Sequence, residues 1–321
     1  MKKVLSLILA LAMVFALAAC GEKQPSNDGN TDGDKPARGN VIMTFGTADT
    51  GGSMYPAGAA VSQVWTNNVQ GVKCKDVSTG EVDVAVATSD VVLNAYNGTG
   101  KFADIGKLDN LRVIGAVYTS VLSGVALKSS GLTYIHDLLG KRVAVGPAAS
   151  ATENATLAAF AAMDITKDNT SLENLGLGDG ADSVGDGILD AAFGFAGLPI
   201  GGQLNLAATK EIQVLDMTQE EIDKVLAGNA AYIQTKIPAG TYTGQDNDAN
   251  TFGVKCLIIV TADMDADLVY DLCKAMNEHT EEMAAGNALL KDMTDPSFLC
   301  TQMPIPLHDG AQKYYSEQGL I

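Results

Sequence analysis

The sequence predicts an α/β protein built from parallel strands and crossover helices. Short apolar runs of strand length alternate with segments of helical spacing along most of the chain. One motif, a strand, a small polar turn and a helix start, occurs twice: in residues 41–68 around Gly51-Gly52-Ser53, and in residues 142–163 around Ala148-Ala149-Ser150. The 281 residues from 41 to 321 suit one large α/β domain or two lobes.

Residues 1–19 stand outside that fold. Lys2 and Lys3 precede an apolar core too short for a membrane span, and Leu17-Ala18-Ala19-Cys20 is a small-residue cleavage site ending in cysteine. The pattern resembles a bacterial lipoprotein signal. That implies a lipidated Cys20 and a chain held at the outer face of the cytoplasmic membrane, at the cell surface or in the periplasm. Residues 20–40 have no apolar side chain large enough for a core and read as a disordered tether. No other apolar run has the length of a membrane span.

Residues 41–47 read as a strand and 55–68 as a helix with Pro56 in its first turn. Residues 72–77 and 82–87 are strands, 89–96 a helix, and 111–117 and 123–128 two further strands. The strand 142–145 meets the turn G-P-A-A-S-A-T, and 153–163 is an alanine-rich helix. Helix 182–189 precedes strand 191–195, and helices 198–206 and 218–227 follow, the latter with Thr218 as N-cap and Glu221 at the third helical position. Residues 237–242 and 244–250 form an exposed loop, 252–260 a strand crossing back, 266–284 one long amphipathic helix, and 312–318 a short closing helix.

The two turns carry the functional expectation. A helix start leaves N–H groups without partners under a partial positive charge, which suits a carboxylate or phosphate. Glycines admit close approach, and Thr50 and Ser53 add hydroxyl donors. Read as a plain turn, the same stretch has Ser53 as N-cap. Ligands of open α/β sheets sit beyond the C-terminal ends of strands, where two such turns would face each other across a cleft.

Composition narrows the classes. Net charge is −17, or −19 once Lys2 and Lys3 are removed, which argues against nucleic acid and anionic lipid as partners. Cys74, Cys256, Cys273 and Cys300 form no C-x-x-C pair and sit among apolar neighbours, so buried free thiols are expected and a metal site is not. The compartment permits a disulfide, whose pairing the sequence does not choose. G-L-G-D-G-A at 176–181 nearly fits a dinucleotide fingerprint, but the preceding S-L-E-N-L is short and no acidic residue follows at the expected strand end. Asp263, Asp265 and Asp267 have Leu268 and Lys274 where a calcium loop needs glycine and glutamate, and read as the acidic start of a helix. G-x-S-x-G and H-E-x-x-H do not occur; His136 and His279 read as surface residues and His308 as structural, so neither an enzyme nor a cofactor is expected.

These residues match a known pattern. The chain resembles the TAXI-type solute receptors of tripartite ATP-independent periplasmic (TRAP) transporters over nearly all of residues 41–321, through T-G-G-S-M-Y-P at 50–56, G-E-V-D-V-A-V-A-T-S-D-V-V at 80–92, A-Y-N-G-T-G-K-F at 95–102, G-K-R-V-A-V-G-P at 140–147, G-I-L-D-A-A-F at 187–193, I-P-A-G-T-Y at 237–242 and P-L-H-D-G-A at 306–311. The resemblance implies a two-lobed, periplasmic-binding-protein-like (type II) fold, with mixed sheets flanked by helices and a hinge of crossing strands. Lobe 1 takes residues 41–125 and 252–321, and lobe 2 takes 126–251. The implied ligand is a small organic acid or amino acid such as glutamate or 2-oxoglutarate, bound between the lobes and handed to a TRAP membrane permease. Implied contacts are Gly52, Ser53, Tyr55 and Thr79, with Ser89 and Asp90 at the next helix start, and Ser150 and Thr152 in lobe 2. A ligand sensor or an enzyme on the same scaffold is the alternative.

Two departures matter. Ala149 and Ala151 stand where the family has glycine, and Ser78-Thr79-Gly80-Glu81 is roughly a dozen residues shorter than the corresponding stretch. Parallel neighbours need a crossover of about a dozen residues. Either 72–77 pairs differently or one strand is displaced, and a less stable, weakly binding lobe 1 is expected. Arg112 and Lys128, the nearest cations, read as solvated surface residues.

Overall fold

A computed structural model describes residues 39–47, 53–77, 81–148 and 150–321. The signal, most of the tether, Cys20, Gly52, Thr79 and Ala149 lie outside the described residues. In chain order, β1 (Val41–Gly46), α1 (Met54–Asn68), β2 (Val72–Val77), β3 (Val84–Thr88) and α2 (Ser89–Asn97) lead to β4 (Leu111–Leu127). Then come β5 (Arg142–Ala144), α3 (Ala151–Ala161), β6 (Ser171–Glu173), α4 (Leu177–Gly185), β7 (Ala191–Ala196), α5 (Gly201–Thr209), β8 (Ile212–Val214), α6 (Gln219–Gly228) and β9 (Ile233–Ile237). The return strand β10 (Ala249–Thr261) precedes α7 (Ala266–Glu278), α8 (Thr280–Gly286) and α9 (Asp309–Glu317).

The strands join in the order β2-β1-β3-β10-β4-β7-β5-β6, with β8 on β4 and β9 on β10. Two long strands hold this sheet together. β4 and β10 pair antiparallel from Gly253 opposite Val121 to Thr261 opposite Leu111. Towards the N-terminus of β4 they carry β3, β1 and β2; towards its C-terminus they carry β7, β5, β6, β8 and β9. This is the two-lobed mixed α/β architecture with crossing strands that the sequence led us to expect. In lobe 1 Trp65, Phe45 and Met276 share one core, and in lobe 2 Val143, Phe160 and Phe193 share another.

Strand direction fixes which ends face the crossing. β1 and β3 are parallel, and β3 and β4 each run antiparallel to β10, so all three point the same way. In the second lobe β7 opposes β4, and β5 follows β7. The C-terminal ends of β1 and β3 therefore point at lobe 2, and those of β5 and β7 point back at lobe 1.

The short link after β2 is accommodated by displacement. β2 pairs β1 from Val72 opposite Val41 to Val77 opposite Gly46, whereas β3 meets the other edge of β1 only from Val84 opposite Phe45. β3 begins where β2 stops. Val77 and Val84 therefore stand at nearly the same level on opposite edges of β1, two strand spacings or roughly 10 Å apart. Asp83 anchors the start of β3, its Oδ2 accepting from the amide and the hydroxyl of Thr44, each at 2.7 Å.

Several elements differ from the sequence reading. The runs 111–117 and 123–128 are one strand, because Tyr118 to Leu122 continue the pleat and are mostly buried in the crossing. The 266–284 helix breaks at His279, whose Nδ1 lies 3.0 Å from Glu282 Oε2. α4 starts at Leu177 within G-L-G-D-G-A instead of at 182, where Gly202 lets α5 come against the backbone of Leu177 and Gly178. α9 starts at Asp309 instead of 312 because the buried His308 caps it, Nδ1 accepting from Gly310 N at 3.2 Å. Tyr242, read as part of an exposed loop, is buried, its hydroxyl donating to Gln203 Oε1 at 2.8 Å. Thr218 and Glu221 form the expected capping box of α6. All four cysteines of the body are free thiols, three of them buried and Cys74 half-buried.

Candidate functional site

Register brings the loop after β3 close to the loop after β7. Thr88, the last residue of β3, lies opposite Cys256, which lies opposite Tyr118; Ala196, the last of β7, lies opposite Val121. Three residues of β4 separate the two levels, roughly 10 Å along the strand. On the edge of β10 that β3 also occupies, Ile233 of β9 lies opposite Gly253, so β9 begins three residues of β10 beyond the end of β3.

In lobe 1, Ser53 precedes α1 and its side chain makes no capping bond, contrary to the plain-turn alternative. Tyr55 is half-buried in the first turn of α1. Gly58, one turn further, lies against Thr47 and Val86, since a Cβ there would come within 2.4 Å of Thr47 Cγ2. α1 is thereby seated over the ends of β1 and β3. Thr47 is fully buried, and its hydroxyl has no partner among the described residues. Ser89 is also buried, and its hydroxyl donates to the Ala231 carbonyl at 3.1 Å, so it closes a seam with the turn before β9. Asp90 is half-buried in the first turn of α2, and its Oδ1 is buried without a hydrogen-bond partner among the described residues.

In lobe 2, Ser150 caps α3, its hydroxyl accepting from Glu153 N at 3.1 Å. Thr152 Oγ1 accepts from the Phe195 amide at 3.2 Å, across 43 residues. Each hydroxyl accepts here and keeps its own proton to donate. Gly146, at φ +98°, lets the preceding loop turn tightly over Thr152, where a Cβ would lie 2.5 Å from Thr152 Cγ2.

Aromatic side chains link the two halves of the site. Tyr232 packs on Phe252 with ring centroids 4.8 Å apart, and Phe252 on Phe195 at 6.3 Å. Burial and then the Asp90 charge push the Tyr232 phenol upward in pKa. Tyr232, Phe252, Phe195 and Thr152 thus form one continuous path, whereas no hydrogen bond among the described residues ties Ser53, Tyr55 or Asp90 to it. The sequence reading did not single out Tyr232; its one signal was N-A-A-Y ahead of the β-prone I-Q-T-K-I. Beside the crossing, a cavity of about 260 Å³ is lined from both lobes, by Thr119 and Val121 of β4, Leu198 and Pro199 after β7, and Leu289 and Asp292.

The cations serve elsewhere. Arg112 is not simply solvated: its Nη1 donates to the carbonyls of Asp109 and Leu111, each at 2.8 Å. Lys128 is exposed. Lys255 of β10 is buried, Nζ donating to the carbonyls of Phe298 and Thr301 at 2.9 Å and lying 4.4 Å from the Phe298 ring centre. Burial lowers its pKa to about 8, only partly opposed by Cys300, Asp292 and Asp295. Between about pH 8 and the ordinary lysine value the unfolded chain holds a proton that the folded chain has released, so this residue adds stability as pH rises through that window and loses it on the way down. Denaturant midpoints at pH 7 and pH 9.5 are expected to rise with pH for wild type relative to Lys255→Met; an equal response in both proteins would contradict this.

Among the described residues no group of His, Cys, Asp and Glu could hold a metal ion, and no helix is long and apolar enough to cross a membrane. The comparison with known families identifies the chain. Residues 45–319 match the model of the NMT1-like family. The chain belongs to that family. Among solved structures, this NMT1-like chain is similar to a TctC solute binding protein from Polaromonas, at 12% identity and a TM-score of 0.52, over 88% of this chain and 98% of that one. It is also similar to the periplasmic aliphatic sulphonate binding protein SsuA from Escherichia coli (11% identity, TM-score 0.45, 87% and 83% of the chains). A third is the probable amino-acid ABC transporter extracellular-binding protein ytmK from Bacillus subtilis (13%, 0.44, 79% and 96%). The likeness to the first is one of fold: two lobes of α/β structure.

Proposed function

We propose that this NMT1-like protein is the extracytoplasmic solute receptor of a TRAP transporter of the TAXI type. It is anchored through a lipidated Cys20 and binds a small organic acid or amino acid between its lobes. The observation that carries this reading is the opposed direction of the strands: the starts of α1 and α2 and the start of α3 lie at strand ends aimed at one cleft, with unpartnered polar groups at Thr47 and Asp90. Residues 41–125 and 252–321 act as one lobe and 126–251 as the other. They close on the ligand by bending where β4 and β10 cross, and the closed form delivers it to the membrane permease. Gly52, Ser53, Tyr55, Thr79, Ser89, Asp90, Ser150 and Thr152 form the binding set, in which Ser89 acts through its bond to Ala231. No chemistry is assigned to the cleft; affinity comes from preorganised donors and acceptors.

A thermal-shift screen of amino acids, dicarboxylates, keto acids, sugars and sulphonates, followed by calorimetry on each hit, tests the reading. A ligand present at about 100 times its Kd stabilises the folded state by about 2.7 kcal/mol, a readily measured rise in melting temperature. Organic or amino acids are expected to produce it. A rise with sugars or sulphonates and none with any organic acid would overturn the ligand class.

A further inference from the structure

We infer that the cavity beside the crossing seats a carboxylate with an aliphatic body, and that Lys291 is the cation its head group meets. This rests on the solute-receptor reading above and narrows it: branched aliphatic amino or oxo acids bind in preference to dicarboxylates. The cavity, about 260 Å³, falls just below the roughly 300 Å³ at which pockets for drug-sized ligands begin, so it suits a small metabolite. Both lobes build it. Val121 of β4, Leu198 and Pro199 after β7, Pro238 after β9 and Leu289 of the C-terminal segment give it an apolar wall.

Most polar groups of the lining already have partners. The Thr119 hydroxyl donates to Asp292 Oδ2 at 2.9 Å, the Thr241 hydroxyl donates to the Pro238 carbonyl at 2.6 Å, and Lys236 pairs with Asp248. Among the described residues, the Lys291 ammonium and the Thr235 hydroxyl of the lining have none. One cation and one hydroxyl are enough for a single carboxylate. A second carboxylate would lie against the apolar wall or beside Asp292, the one acid of the lining, with no donor to replace its water.

A plain role for Lys291 as a solvated surface lysine falls short. Lys291 is exposed, but the segment that carries it is fixed against the other lobe. The Asn287 side chain accepts from Leu289 N at 3.1 Å, and the Thr119 bond holds Asp292 to the crossing strand. Leu289 fills the space over Gly197, where a Cβ would collide with Leu289 Cδ1. Gly197 directly follows β7, so a side chain of lobe 1 rests here on bare backbone of lobe 2. Lys291 is thereby held in the lining of a cavity shared by both lobes, where a solute would cover it.

Calorimetry tests this with L-leucine against L-glutamate and 4-methyl-2-oxopentanoate against 2-oxoglutarate, on wild type, Lys291→Gln and Lys128→Gln. Wild type is expected to bind at least one branched solute about tenfold or more tightly than its dicarboxylate counterpart. Lys291→Gln is expected to weaken that solute about tenfold, the loss of one charge-assisted hydrogen bond, with an unchanged unfolding midpoint. Lys128→Gln removes an exposed lysine outside the cavity lining and is expected to bind as wild type does. Dicarboxylates bound as tightly as the branched acids or more so, wild-type affinity in Lys291→Gln, or an equal loss in both variants would overturn the inference and leave the receptor reading intact. If none of the four solutes binds, the inference fails and the receptor reading is decided by the wider screen.

Discussion

Trp65→Ala is expected to lower the unfolding free energy by about 3–5 kcal/mol, the range for truncating a buried large aromatic side chain. Trp65 is fully buried, stacks on Phe45 with ring centroids 5.4 Å apart and planes 23° apart, and donates its indole N–H to the Leu272 carbonyl at 2.9 Å. One side chain therefore ties α1 to both β1 and α7. Alanine would leave a void under α1, the helix whose N-terminus borders the cleft. Domains of this kind have only about 5–15 kcal/mol in reserve. Denaturant unfolding followed by far-UV circular dichroism measures the loss, since removing the sole tryptophan also removes its fluorescence. Trp65→Phe should cost less, because a ring still fills most of the space. A midpoint within error of wild type for Trp65→Ala would mean that α1 is not part of the cooperative core.

The sequence showed the fold where local chemistry decides it. The apolar run Val41 to Phe45 and the small turn that follows, or Ser150 ahead of an alanine-rich segment, announce a strand and a helix start without help from the rest of the chain. It misled where tertiary packing decides. Thr119 and Ser120 read as an interruption between two strands, yet Ser120 is buried against Cys256, and β4 runs through. β8 is three residues long and β9 alternates Ile, Gln, Thr and Lys; both exist because β4 and β10 offer them an edge. His279 ends α7 with neither glycine nor proline to mark the place.

The site was half legible for the same reason. Ser53 and Ser150 are found by their positions at helix starts, which are local, whereas Asp90 enters only through the family resemblance. Their use is not local: Ser89 is engaged by Ala231 from 142 residues away, and Thr152 accepts from Phe195. Tyr232 joins the candidate site only because β9 continues the line of β3 along β10. The missing crossover was visible as a deletion, but its resolution depended on register, with β3 starting at the level where β2 ends.

Gly253→Val is expected to destabilise the protein by about 3 kcal/mol, the upper end of the cost of overpacking a buried position. Gly253 is buried in β10 opposite Val121, at the point where the paired strands pass from one lobe to the other. A Cβ there would lie 2.4 Å from the Ser120 carbonyl oxygen and 2.9 Å from Thr119 Cγ2. The first of these is backbone, and it cannot yield without parting β4 from β10. Valine adds two methyl groups to that clash. Because the same residues form the proposed bending point, a folded Gly253→Val protein should also lose solute affinity relative to Gly228→Ala, whose Cβ meets open space at the end of α6. Urea unfolding gives the first quantity and calorimetry with the best solute the second. Gly228→Ala is expected to be neutral or slightly stabilising, as alanine favours helix by up to about 1 kcal/mol over glycine. Equal midpoints for the two variants would mean that β4 and β10 part at the crossing at little cost, and the crossing would then not be the element that holds the lobes in register.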